Sequence, residues 1–170
     1  PDSFKGKLAE LEELAGSTLK EMRLMLDQLR NAVGEANVNF AESVRGECEA
    51  FSRRSGPEGG SLLSIELEMP REIILPKQIA DEALWVLREA LQNVTKHSGG
   101  RTARVEVKCD ARLHVKVRDD GNGFDPHAIP AGHYGLRGMR ERIFALGGEL
   151  VVESEIGSGT ILSFTVPLPK

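Results

Sequence analysis

Three groups of residues in this 170-residue chain have the types and spacing for chemistry. The first is a line along one helical edge, where Glu89, Asn93 and His97 recur at i, i+4 and i+8 with Lys96 beside them. A carboxylate, a neutral amide oxygen and a cation suit a hard divalent metal bridging phosphates, because Mg2+ takes few protein oxygens and keeps water and phosphate oxygens around it. The same line also fits a solvated flank beside an apolar stripe. The second is Asp119. On a strand carrying Leu113, Val115 and Val117, a period of two turns its carboxylate to the face of those apolar side chains, where a buried acid needs a donor. Two roles are open to it: capping the turn Asp120-Gly121-Asn122-Gly123, or accepting a hydrogen bond from an exocyclic amine on a planar ligand. The third is glycine. Nine of the chain's 18 glycines fall between Asp119 and Thr160, clustered at loops. Without a Cβ, backbone N–H groups close on a bulky anion or a flat ring, and three such clusters in one small domain favour a ligand over unrelated turns.

These residues need a frame, and the hydrophobic periods supply one. Leu8, Leu11, Ala15, Leu19, Met22, Leu26, Leu29 and Val33 recur at three- and four-residue steps, the pattern of one long amphipathic helix. A seam of that length must be covered by the following domain or by a partner helix. A short helix is predicted over Phe40 to Arg54, then a loop at residues 55–61, SGPEGGS, and a strand from Ser64 to Met69. Ile79, Ala83, Val86, Leu87, Ala90 and Val94 mark a second strong helix ending before Gly99-Gly100. The period then drops to two: Ala103, Val105, Val107 and Cys109 pair as a hairpin with Leu113, Val115 and Val117. Leu136, Met139, Ile143 and Leu146 restore helical spacing, and Leu150 and Val152 with Leu162, Phe164 and Val166 form a last hairpin around Ile156-Gly157-Ser158-Gly159. The expected class is α+β, a two-layer α/β sandwich with helices on one face of a mostly antiparallel sheet, preceded by the long amphipathic helix.

Composition removes other classes. The chain is 40% apolar and 28% charged with a net charge of -4, so it has no basic footprint for direct nucleic-acid binding. Cys48 and Cys109 form no CxxC and have no neighbouring His, which argues against a zinc knuckle and a disulfide framework and fits a reducing, cytoplasmic setting. No apolar run reaches about 18 residues, and the opening PDSFKGKLAE lacks a signal-peptide core. A soluble piece is expected, compatible with a longer parent anchored in a membrane elsewhere.

The strings REALQNVTKHS (88–98), DDGNGF (119–124), GHYGLRGMRER (132–142) and GSGT (157–160) resemble, in order, the N box, G1 box, G2 region and last glycine turn of the GHKL ATPases, which share the Bergerat ATP-binding fold, in their histidine-kinase branch. The resemblance covers about residues 62–170, and GLRGMRERIFALGGEL points to the sensor kinases paired with response regulators that carry LuxR-type DNA-binding domains. The segment ending RLMLDQLR resembles the second helix of that subfamily's dimerisation domain. The resemblance implies a partial dimerisation domain at 1–34, giving a homodimer in the parent, and an ATP-binding catalytic domain at 38–170. It implies that Asn93 coordinates Mg2+, that Glu89 orders water around the metal, and that Lys96 and His97 face phosphate oxygens. Asp119 would bind the adenine amino group, with Gly121 and Gly123 letting the backbone pass close to the ring. Gly132, His133, Gly135 and Leu136 would edge a lid over the phosphates, and Thr160 would lie near the adenine.

The pattern departs from the family at one point. The phosphoryl acceptor of these kinases is a histidine followed by an acidic residue, whereas His97, His114, His127 and His133 precede Ser98, Val115, Ala128 and Tyr134. The chain is therefore expected to be a piece of a longer kinase whose acceptor lies outside it. Two other functions compete: an anti-sigma-factor-type serine kinase on the same fold, and a non-catalytic interaction module using the Leu8 to Val33 seam.

Overall fold

The computed structural model describes residues 37–53, 63–125 and 134–169, together with Met22. The chain divides into two units, Pro1–Ala36 and Asn37–Lys170. Apart from Met22, the predicted helical seam lies outside the described residues, as do the loop at 55–61 and the candidates Gly132 and His133. The second unit holds the sheet and the helices that pack on it.

Its elements run β1 (Asn37–Asn39), α1 (Phe40–Arg53), β2 (Ser64–Glu68), β3 (Ile74–Pro76), α2 (Lys77–Asn93), a π-helical turn (Val94–Ser98), β4 (Thr102–Cys109), β5 (Arg112–Asp119), α3 (Tyr134–Ala145), β6 (Glu149–Ser154) and β7 (Thr160–Pro167). Helix α1 buries Phe40, Ala41, Val44, Cys48 and Phe51 on one stripe, with Glu42 in its first turn and Arg53 in its last, each complementing the helix dipole. Helix α2 begins directly after Pro76 and buries Ile79, Ala80, Ala83, Val86, Leu87, Ala90 and Leu91. Arg88 of α2 pairs with Glu47 of α1 at the helix-helix boundary.

Five strands form one sheet in the order β2-β4-β5-β7-β6. Three of its four pairings are antiparallel; β2 and β4 are parallel, because the chain between them crosses back through α2. In register, Val105 faces Val117, Val115 faces Phe164 and Phe164 faces Leu150, so a continuous apolar layer lines one face. That layer packs on the helices and leaves Phe164, Leu113 and Val115 no more than 1% exposed. Each such burial contributes about 1.5–3 kcal/mol. The Cys48 thiol sits in this core, and burial pushes its pKa up to about 11, which keeps it an inert apolar filler.

Two features were not foreseen from the sequence. Asn37–Asn39 and Ile74–Pro76 pair as a separate two-stranded sheet, each too short to show a period. The second is the π turn after Asn93. Thr95 Oγ1 donates to Leu91 O at 2.9 Å, taking up a carbonyl of the ladder just where the helix widens. The i, i+4, i+8 line is thereby broken: Glu89 and Asn93 keep helical spacing, whereas Lys96 and His97 ride on the wider turn and are exposed. Among the described residues no helix is long and apolar enough to cross a membrane.

Candidate functional site

Three segments meet at one end of the five-stranded sheet: the exit of β5, the turn between β6 and β7, and the chain leaving α2. Backbone hydrogen bonds join them, Asn122 N–H donating to Ser98 O at 2.6 Å and Gly157 N–H to Asn122 O at 2.6 Å. Ser154 adds a knot: its Oγ accepts from Phe124 N–H at 2.9 Å, donates to Gly159 O at 3.0 Å and lies 3.0 Å from Thr160 Oγ1. The antiparallel register explains this, because Ser154 ends β6 directly opposite Thr160, which starts β7. The predicted site residues Asp119, Gly121, Gly123 and Thr160 are thus brought together.

Asp119 is the centre of that end. Among the described residues the buried polar side chains are Ser98 and Asp119, 8% and 6% exposed, and both belong here. The Asp119 carboxylate accepts Gly121 N–H at 2.8 Å, so the capping role left open in the sequence is real. Burial pushes its carboxyl above the usual range; hydrogen bonds from the Gly121 and Thr160 backbone pull it down, and the neighbouring Asp120 charge pushes it up. At its two glycines the loop beside it has no room for a Cβ. A Cβ at Gly121 would run into Ser98 and lie 2.7 Å from Asp119 Oδ1. Gly123 has φ +60°, and a Cβ there would run into Glu155 O and lie 2.8 Å from Gly159 O. The result is backbone packed closely around a buried acid whose carboxylate is an acceptor for an exocyclic donor on a ligand.

On the other side, Glu89 and Asn93 are half-buried on the last turns of α2. The start of α3 lies against Glu89, a Cβ at Gly135 standing 2.8 Å from Glu89 Oε1, and Leu136 packs on the core one residue later. Of the three arginines on α3, Arg137 and Arg140 are exposed, Arg137 donating to Glu141 at 2.8 Å, while Arg142 turns inward to Glu82. The Glu89 carboxylate and the Asn93 amide offer oxygen donors that suit a hard cation. Among the described residues no cluster of three or more His, Cys, Asp or Glu would hold a metal on protein ligands alone. An oxygen-only pair of this kind is the donor set that suits Mg2+, which takes few protein oxygens and fills its shell with water and phosphate oxygens.

The sequence profile of the histidine kinase-, DNA gyrase B- and HSP90-like ATPases matches residues 79–170, more than half the chain. The chain belongs to that family. The matched span holds every candidate site residue from Glu89 to Thr160. The sensor histidine kinase LiaS of Bacillus subtilis is 30% identical over 168 residues, covering 98% of this chain and 44% of LiaS. The nitrate/nitrite sensor protein NarQ of Escherichia coli is 27% identical, covering 93% of this chain and 27% of NarQ. The chain thus spans less than half the length of these relatives. Among solved structures, the ATP-binding domain of PrrB from Mycobacterium tuberculosis superposes with a TM-score of 0.63 at 15% identity, covering 80% of this chain and 98% of that domain, a likeness of fold.

Sequence reasoning missed the residues that hold the candidate site in place: Ser98, Ser154 and Asp120. Asp120 Oδ1 accepts N–H from Arg101 and Thr102, each at 2.9 Å, and Oδ2 accepts the Thr102 hydroxyl, fastening the start of β4 to the β5 exit. An Asp bonded to a Thr on the neighbouring strand carries no local signal. These bonds, the Thr102 hydroxyl foremost, hold the Asp120 carboxyl below the usual range. A depressed folded-state pKa gives stability that is present above the unfolded value and lost as pH falls through the folded value. Asp119 has the opposite sign, its raised pKa costing stability as pH climbs from the unfolded value through the folded one. Asp120→Asn should therefore flatten the acid limb of a melting-temperature profile, measured by circular dichroism between neutral pH and pH of about 3; an unchanged limb refutes the assignment.

Proposed function

We propose that this chain is the ATP-binding catalytic portion of a sensor histidine kinase, which binds Mg2+-ATP and presents the γ-phosphoryl group to a histidine in another part of the parent protein. The observation that carries this reading is the buried Asp119 carboxylate set beside the close-packed glycines Gly121 and Gly123, on the same sheet end to which the exit of α2 is bonded. Asp119 accepts the adenine amino hydrogen bond, Gly121 and Gly123 lie along the ring, and Thr160 closes its edge. Asn93 holds the metal through its amide oxygen and Glu89 orders water around it, with Lys96 and His97 facing the phosphates. A metal held there by Asn93 would supply charge neutralisation at the phosphates. Gly135 and Leu136, at the start of α3 and against Glu89, form the described edge of a lid; Gly132 and His133 complete that edge in this reading.

Phosphoryl transfer of this kind asks the protein for position and charge compensation more than for covalent chemistry. The parent kinase is proposed to work as a homodimer through residues 1–34, with residues 38–170 as the nucleotide domain. A response regulator with a LuxR-type DNA-binding domain then receives the phosphoryl group, and the kinase acts in the cytoplasm. Support comes from the motif strings and from relatives that bear the name sensor histidine kinase.

The test is calorimetry with ATP in the presence and absence of Mg2+. The wild-type chain should bind in a Mg2+-dependent manner, and Asn93→Ala should lose about tenfold in affinity, with Mg2+ no longer strengthening binding. Identical Mg2+ dependence in the two proteins contradicts the metal assignment.

A further inference from the structure

Helices α2 and α3 touch along matching faces. Glu82, Trp85 and Glu89 lie at i, i+3 and i+7 on α2; Gly135, Gly138 and Arg142 have the same spacing on α3. The contacts run in opposite order along the two helices. Gly135 meets Glu89, and Gly138 meets Trp85, with 3.7 Å between its Cβ position and Cη2. Arg142 lies over the Trp85 ring, 4.2 Å from the centroid, and its Nη1 donates to Glu82 Oε2 at 2.6 Å. The two glycines give α3 a smooth track, and a track without side-chain ridges fixes no register. Arg142 supplies the stop: its guanidinium lies over the indole while its Nη1 meets a carboxylate, and the two contacts together set position and rotation.

We propose that Arg142 and Trp85 are positioning residues for the phosphate end of the nucleotide. They set the register of α3 on α2, and that register holds the first turn of α3, Gly135 and Leu136, against Glu89. This rests on the assignment of Glu89 and that turn to the phosphate end of an ATP site. The adenine end does not depend on this register, since Asp119 and its loops are tied by their own hydrogen bonds to Ser98, Ser154 and Thr160.

The proposal separates two nucleotides that share an adenine and differ in the γ-phosphate. In calorimetry on the full 170-residue chain with Mg2+-ATP and Mg2+-ADP, Arg142→Met should lower ATP affinity about tenfold more than ADP affinity. Arg142→Lys, which keeps the charge toward Glu82 and loses the guanidinium over the indole, should fall between. In a Glu89→Gln background the effect of Arg142→Met on the ATP-to-ADP ratio should vanish, because the carboxylate through which it acts is gone. Equal losses for both nucleotides, or the same change of ratio in either background, would reduce Arg142 to general structural support and overturn the proposal. If circular dichroism shows Arg142→Met unfolded, Arg142→Lys carries the same comparison. A wild-type chain that binds neither nucleotide sinks the ATP reading and this inference together; a wild type that favours ATP, with a ratio unmoved by the substitutions, sinks this inference alone.

Discussion

Asp119→Ala should remove most of the affinity for ATP, by about 3 kcal/mol or about a hundredfold, while the protein stays folded. The carboxylate is 6% exposed and already accepts N–H groups from Gly121 and Thr160. Its deletion leaves the adenine amine facing the orphaned N–H groups of Gly121 and Thr160 with no acceptor, and the loss is the desolvation cost of that amine together with the bond. Asp119→Asn should be no better, for a reason of polarity. With the two backbone donors holding the amide oxygen, the NH2 group would point at the ligand, donor against donor. That variant should instead prefer a 6-oxo purine nucleotide, inosine triphosphate, over ATP. Acid should act like the mutation: burial has raised the Asp119 pKa, so ATP affinity should weaken as pH falls into the range above an ordinary aspartate's, where the carboxyl protonates and ceases to be a pure acceptor. Calorimetric titrations across pH check all three. An Asp119→Ala protein that is folded and binds ATP like wild type removes the adenine assignment.

The second large effect is expected at Gly123. Its φ of +60° costs an alanine about 1–2 kcal/mol, and the new methyl would also run into Glu155 O with Gly159 O at 2.8 Å. Both obstacles are backbone, so relief requires moving the β6–β7 turn away from the β5 exit, at a further cost of about 1–3 kcal/mol. Gly157 provides the control. It has φ +85° with nothing within 4 Å of its Cβ position, so Gly157→Ala should show the conformational cost alone. Urea melts should place Gly123→Ala well below Gly157→Ala, and only the former should also lose ATP binding. Equal destabilisation of the two would mean that the turn yields freely and that the close approach has no consequence.

Much of this was legible in the chain. The two-residue periods of Ala103-Val105-Val107 and Leu113-Val115-Val117 predict a hairpin, and the structure pairs them in register. The same period predicts that Asp119 faces inward, and it does. Helix α2 was legible from its apolar stripe up to Asn93, after which the π turn displaced Lys96 and His97 from the expected line. The strands β1 and β3 were not legible, because three residues hold no period and each is made only by the other. The Asp120–Thr102 and Ser154–Thr160 bonds escaped for a related cause: Asp, Ser and Thr are ordinary loop residues until a partner strand arrives.

The sequence by itself determined whatever repeats at the pitch of a helix or a strand, together with the order of the glycine and acid motifs. Propensity, alternation and glycine content act between near neighbours, so they are written locally. Only the tertiary structure decided which backbone groups meet across strands and which helix faces touch: Ser98 against Asn122, Glu89 against Gly135, Arg142 across Trp85 onto Glu82. Those contacts join residues as far apart as 82 and 142, and their geometry is set by the sheet register and the packed core, to which no short stretch of chain has access.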